Sequence, residues 1–314
     1  MRYRPLGNTG LKVSEISLGT AEIGLDYGFK GSTHYARPDM QESIRLIHTA
    51  LDQGINIIDT ARSYGTSEEI IGQALAELTF TPHIVSKVYL PEEAVQKEFP
   101  ALRQEIFSSI EASLQALRLE SIDLLLIHNT TLEHLRHKAV EACLAEAKQQ
   151  GKIRFFGASC YGEEVSVAVL EQPQFRALQV PFNLLDQKMS ARVFPAAAAQ
   201  GTGIFVRSAY LRGVLTSQID SIPQRLSSLR LRALQTLALL GEEVSSLAEA
   251  ALRFCLSVHG VSSVVVGVKS VAELEENLAD ASQGALPHDL MPQIGELSFD
   301  NDPIVDPRSW QDLI

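Results

Sequence analysis

INIIDTA, residues 55–61, is a short isoleucine-rich run that carries an ionisable side chain, Asp59, near its end. An apolar run without polar alternation reads as a strand buried on both faces, as in a parallel sheet. Two later runs repeat the design: PHIVSKV (82–88) carries Lys87 and IDLLLIHN (122–129) carries His128, each near the C-terminal end. Tyr64 follows Asp59 by five residues, in the loop after the first of these strands. Parallel strands present their C-terminal ends at one face. A carboxylate, a cation, an imidazole and a phenol would therefore converge there.

The alternation of apolar run and helical pattern extends through the chain. EISLGT (15–20), IRFFGAS (153–159), ALQVPFN (177–183), GIFVRSA (203–209) and VSSVVVGV (261–268) read as further strands. Helical patterns lie near 40–53, 67–78, 101–118, 137–149, 163–171, 189–200 and 271–282, and a longer region over 226–258 is broken near Gly241. Gly54 stands where a helix ends in a left-handed residue, and Ser67 suits a helix N-cap. Eight strand-plus-helix units predict an α/β chain folded as a (β/α)8 TIM barrel. Arg2–Pro5 and Leu11–Val13, around Gly7 and Gly10, read as an N-terminal β-hairpin suited to cap the barrel's base. The tail, 284–314, holds the only tryptophan, Trp310, and is expected near the barrel mouth, as a surface wrap or a closure. With no linker or low-complexity tract, residues 1–314 are expected to form one domain.

Bulk composition excludes several classes. Hydrophobic residues make up 45% and charged residues 21%, which is globular. The formal net charge of −11 argues against a nucleic-acid binder. No apolar run approaches the ~18 residues of a membrane span, and the opening MRYRPLGNTG lacks a signal-like apolar segment. Cys143, Cys160 and Cys255 are widely separated and odd in number, which favours a reducing, cytoplasmic setting over a disulfide framework. No metal-ligand spacing is present; His134 and His137, three apart, read as solvated residues of a polar helix start.

The strand ends supply Asp59, Lys87, His128, Ser159 with Cys160, and Gln179 with Asn183. A lysine buried on a strand requires a counter-ion, and Asp59 is its natural partner. An ammonium beside a phenol stabilises the phenolate, which makes Tyr64 a competent general acid. His128 can donate to, or orient, the same acceptor oxygen. The group served is most simply a carbonyl becoming an alkoxide. Lys87 as a Schiff-base lysine is the rival reading, but it leaves Tyr64 and His128 without a specific task. No Gly-x-Gly-x-x-Gly follows a strand, so a Rossmann site is not indicated.

Taken in order, RPLGNTGLKVSEISLGT, DQGINIIDTARSYGTSEEIIGQAL, SKV, SIDLLLIHN, GKIRFFGAS, LQVPFNLLD, GIFVRSAYLRGVLT and VGVKSVAELEENLA resemble the aldo-keto reductase superfamily over nearly the whole chain. The resemblance implies a barrel that binds a nicotinamide cofactor in extended form. By motif, Asp59, Tyr64, Lys87 and His128 match the family's catalytic tetrad. Ser159 and Gln179 match the residues that bond the carboxamide, with Cys160 where the family usually carries asparagine. Arg207 stands where some members stack an aromatic on the nicotinamide. Ser208 and the Leu211–Gly213 turn match the pyrophosphate stretch. Lys269 and Ser270 match the region that meets the adenosine 2′-phosphate; Glu273 falls near a frequent arginine, and Glu276 and Asn277 lie near the adenine. This pattern favours NADP(H) over NAD(H). The implied substrate is a small aldehyde, ketone or sugar, met among Tyr27, Tyr89, Tyr161, Tyr210 and Trp310. Operation as an aldose dehydrogenase, or service as a cofactor-sensing interaction subunit, are the alternatives.

Overall fold

The apolar runs close on one another. The structure, a computed structural model, describes residues 1–313 except 31, 33 and 300–302. A hairpin of β1 (Tyr3–Pro5) and β2 (Lys12–Ser14) precedes β3 (Ile16–Gly19), β4 (Ile57–Asp59), β5 (His83–Tyr89), β6 (Ile122–Thr130), β7 (Ile153–Cys160), β8 (Phe175–Pro181), β9 (Gly203–Arg207) and β10 (Val261–Gly267). The last eight form a closed parallel barrel in chain order, β10 pairing with β3. Helices lie at α1 (Ala21–Gly24), α2 (Met40–Asp52), α3 (Ser67–Leu75), α4 (Phe99–Leu117), α5 (Leu132–Arg136), α6 (Lys138–Gln149), α7 (Glu163–Leu170), α8 (Val193–Gln200), α9 (Ser227–Leu240), α10 (Leu247–Ser257), α11 (Val271–Ser282) and α12 (Met291–Gly295).

Helix boundaries differ from the periodic pattern where local chemistry intervenes. The fourth helix begins at Phe99, with Pro100 in its first turn, where a missing N–H costs nothing. The helix expected from 189 begins only at Val193. The polar start near 134 is itself a short helix, α5. His134 is buried there, its Nδ1 accepting from Thr131 N–H at 3.1 Å, so the solvated reading of His134 does not hold.

Two apolar layers follow from strand periodicity. On the outer face, residues such as Ile58, Ile84, Leu125 and Ile127 pack against the helices. On the inner face, Ile57, Val85, Leu124, Leu126, Ala177 and Phe205 meet Leu6, Leu11 and Val13 from the hairpin segment, which plug the base. Glu15 fixes this plug, accepting from Arg2 Nε at 2.9 Å and Arg4 Nη2 at 3.0 Å.

Side chains alternate along a strand, so the residue two beyond each inner one also faces inward. Ile57 is followed in this way by Asp59, Val85 by Lys87, Leu126 by His128, Ala177 by Gln179 and Phe205 by Arg207. The polar residues are the next layer of the same barrel interior, stacked on a dry floor.

Helix α3 follows the loop that carries Tyr64, and it lies close against α4 at Gly72. A Cβ on Gly72 would stand 2.2 Å from the Ala116 carbonyl oxygen. Gly72→Ala is expected to destabilise the chain by roughly 1–3 kcal/mol through overpacking. Urea denaturation checks this; an unchanged midpoint would show that the two helices separate freely.

Candidate active site

Lys87 is 1% exposed, and its ammonium has to be satisfied from within the barrel. Nζ donates to Asp59 Oδ1 at 2.6 Å and to the Thr60 carbonyl at 2.9 Å. It also lies 4.9 Å from the centre of the Tyr64 ring. Burial alone would lower the Lys87 pKa, but Asp59 and Tyr64 outweigh it, and the value lies above the ordinary lysine range. The second oxygen of Asp59 accepts from Gln179 Nε2 at 2.7 Å, and Gln179 Oε1 accepts from Ser159 Oγ at 3.2 Å. A chain of hydrogen bonds therefore crosses the interior from β5 through β4 and β8 to β7.

Tyr64 is held by a backbone clasp. Gly24 O accepts from Thr66 N at 3.2 Å, and Tyr64 O accepts from Ser67 N at 3.0 Å. A Cβ on Gly24 would meet Tyr64 O at 2.0 Å, so only glycine permits this approach. Beneath the clasp, Thr20 Oγ1 donates to Asp59 O at 2.8 Å and accepts from Ser67 Oγ at 2.7 Å. The His128 ring stands edge-on to Tyr64, with centroids 5.8 Å apart, and its Nδ1 faces Ser63 Oγ at 3.2 Å. Burial, followed by Lys87 and Arg207, lowers the His128 pKa to about 3, so the imidazole is neutral near pH 7.

Asp59, Tyr64, His128, Gln179, Arg207, Ser208, Leu211 and Gly213 all line a cavity of about 320 Å³ at the barrel mouth. A second cavity, of about 230 Å³, adjoins it across a shared wall of Glu22, Tyr27, Tyr210, Arg212, Gly213 and Gly267. Lys269, Glu273, Glu276 and Asn277 line this second cavity. Ser208, Leu211 and Arg212 all take positive φ, which curls the post-β9 turn around the opening.

Several expected positions lie elsewhere. Cys160 is one residue out of inward phase, so its thiol faces α7, with Sγ 3.6 Å from Ser166 Oγ. It lies in the outer core rather than on a cavity wall, and burial pushes the thiol up to about 12. Ser159 reaches the cavity only through Gln179. Ser270 lies outside both cavity walls and caps α11, accepting from Glu273 N at 3.2 Å. Trp310 is packing: it is buried, stacked on Phe29, and donates to Ile304 O. Tyr89 is exposed and off the wall, whereas Tyr27, Tyr161 and Tyr210 are on it. The tail does reach the mouth, through Pro307 on the wall and Arg308, which lies 3.9 Å from the centre of the Tyr161 ring. Arg207 lies 4.0 Å from the same centre, and its Nε and Nη2 are buried without an acceptor.

Sequence reasoning did not single out Ser63, Asn129 or Glu22, all placed around this opening, and it met Arg212 only as the middle of the Leu211–Gly213 turn. Asn129 lines the first cavity at positive φ, beside a register shift in the β6–β7 pairing. Glu22 lines both cavities, and burial chiefly pushes its carboxyl up to about 7, with Lys269 and Arg212 opposing and Glu273 adding to the rise. A glutamate just past a strand end was the available signal. Among the described residues no group of three or more His, Cys, Asp or Glu is placed to hold a metal, and no helix is long and apolar enough to cross a membrane.

Comparison with known proteins bears on this arrangement. The Aldo/keto reductase family profile matches residues 15–298. A Bacillus subtilis aldo-keto reductase is 32% identical over 224 residues, covering 70% of this chain and 65% of its own length, just under two thirds. L-galactose dehydrogenase of Arabidopsis thaliana is 27% identical over 296 residues, 90% of this chain and 89% of that protein. Among solved structures, the holo form of an aldo-keto reductase from Bacillus halodurans superposes with a TM-score of 0.78 at 23% identity, covering 96% of this chain and 97% of that one, a likeness of fold. The profile match spans most of the barrel and includes all four side chains gathered at its mouth, and the chain belongs to the aldo/keto reductase family, a family of oxidoreductases.

Proposed function

We propose that this chain interconverts a small carbonyl and its alcohol with a nicotinamide dinucleotide, Tyr64 acting as general acid and base. The observation that carries the reading is the buried Lys87, locked to Asp59 and directed at the Tyr64 ring beside a neutral His128. The bound nicotinamide supplies the hydride to the carbonyl carbon, or removes it in the reverse direction. Tyr64 gives its phenolic proton to the carbonyl oxygen, and the phenolate left behind is stabilised by the Lys87 ammonium. In the tautomer where Ser63 Oγ donates to His128 Nδ1, the ring proton is on Nε2 and can hold the same oxygen in line. A protonated Lys87 is a poor nucleophile, which weighs against the Schiff-base reading.

The cavities in series suit an elongated ligand with a head at each end. Gln179, Arg207, Ser208, Leu211 and Gly213 would hold the half nearest Tyr64; Lys269, Glu273, Glu276 and Asn277 would surround the other. The expected preference for NADP(H) drew on Lys269 and Ser270, yet the ammonium of one is engaged by loop carbonyls and the hydroxyl of the other by a helix N-terminus. Phenols of Tyr27 and Tyr161 and the amide of Asn129 give the wall a polar character. Together with the likeness to L-galactose dehydrogenase, they favour a sugar-like or otherwise polar carbonyl. Three free, buried thiols accord with a reducing, cytoplasmic setting.

Tyr64→Phe is expected to lower kcat by about 10²–10⁴-fold while leaving cofactor affinity unchanged. Steady-state aldehyde reduction together with cofactor titration checks this; wild-type turnover would assign the proton to another group. Glu22 adds a pH dependence to the fold. Its folded pKa of about 7 exceeds the ordinary 4.5, so the folded chain holds an extra proton between those values and loses stability as pH rises through them. Glu22→Gln is expected to flatten the stability curve over that window and to gain on the order of 1–3 kcal/mol at pH 8. Denaturant titrations at pH 5 and pH 8 check it, and parallel curves for the two proteins would contradict it.

A further inference from the structure

The second cavity carries charges that discriminate between dinucleotides. It is lined by two carboxylates, Glu273 and Glu276, with the Glu22 carboxyl on the wall it shares with the Tyr64 cavity. Its cations are Lys269 and Arg212. An ammonium has three N–H donors. Those of Lys269 point to the backbone carbonyls of Tyr27 at 2.9 Å, Tyr35 at 3.0 Å and His34. Lys269 therefore pins the loop after α1 and has no donor left for a ligand. The Arg212 guanidinium lies 4.3 Å from the centre of the Tyr27 ring, on the wall between the cavities, beside whatever links the two halves of a ligand.

Several other polar groups of the cavity point the same way. Glu273 Oε2 accepts from Lys269 N at 2.9 Å and keeps its other oxygen uncommitted to that bond. Glu276, three residues along α11, is exposed at the cavity edge. Asn277 is buried and accepts from Tyr210 OH at 2.6 Å. Ser246 accepts from Glu249 N as the cap of α10. A phosphomonoester carries roughly −1.5 to −2 charge near neutrality. Here it would face carboxylates, with the one ammonium already saturated. A sugar hydroxyl is a hydrogen-bond donor, and a carboxylate is the acceptor that suits it.

We propose that this cavity selects a dinucleotide with a free ribose 2′-hydroxyl, NAD(H) over NADP(H), with Glu276 and Glu273 as the specificity-determining residues. The inference rests on the oxidoreductase reading above and deepens it. The test is equilibrium binding of NADH and NADPH to the full chain without carbonyl substrate, followed by calorimetry. NADH is expected to bind at least about tenfold tighter. Added salt should narrow the gap by screening the repulsion, and Glu276→Gln with Glu273→Gln should narrow it further, chiefly by strengthening NADPH binding. Glutamine keeps an oxygen for the Lys269 N–H, so the turn before α11 survives the change. Equal or tighter binding of NADPH by the wild-type chain overturns the inference and leaves the oxidoreductase reading intact. A ratio unmoved by the double substitution overturns the assignment to these glutamates. Failure to bind either dinucleotide overturns both readings.

Discussion

A lysine ammonium buried inside a barrel sets the terms for everything around it. Removing such a group from water costs several kcal/mol unless a partner charge and hydrogen bonds take water's place. Lys87 obtains both from Asp59 and the Thr60 carbonyl. Asp59 is then itself a buried carboxylate whose second oxygen must be satisfied, which Gln179 does, and the amide oxygen of Gln179 is met by Ser159. One cation on β5 thus dictates polar residues on β4, β8 and β7. None of them can be altered without leaving a buried group unpartnered, and together they hold Tyr64 and His128 above a dry apolar layer.

The two cavities differ in sign along their length. Near Tyr64 stand Lys87, tied to Asp59, and Arg207, whose Nε and Nη2 find no acceptor. That end is electropositive, which suits the negative charge that the proposed reaction would develop there on a carbonyl oxygen. The far end carries Glu273 and Glu276 around a lysine already engaged, and Glu22 stands on the wall between the two cavities. The low-pKa imidazole of His128 and the high-pKa carboxyl of Glu22 on the shared wall follow from the same burial, each pushed toward its neutral form.

Much of this was legible in the sequence because strands bury alternate residues and loops follow them. INIIDTA, PHIVSKV and IDLLLIHN announced their strands, and the hairpin near the N-terminus does plug the base through Leu6, Leu11 and Val13. The same alternation applied to IRFFGASC separates Ser159 from Cys160: adjacent residues on a strand face opposite sides, so both could not reach one cavity. Other features were hidden because they depend on contacts distant in sequence. Lys269 is engaged by a loop near residues 27–35, Trp310 stacks on Phe29, and Glu22 packs beside Gly267. Ser270 reads equally as a phosphate ligand or a helix cap until its partner, Glu273 N, is seen.

The central claim is that the Lys87–Asp59 pair acts on the chemistry through Tyr64. The most direct test is a cycle in which Tyr64→Phe is combined with removal of the whole pair, Asp59→Asn with Lys87→Met, which leaves no uncompensated buried charge. Single-turnover hydride transfer from reduced cofactor is the measurement. The account predicts that removing the pair slows the wild-type chain by roughly 10²-fold or more but slows the Tyr64→Phe chain little further. Equal slowing on both backgrounds would mean that the pair serves only the fold.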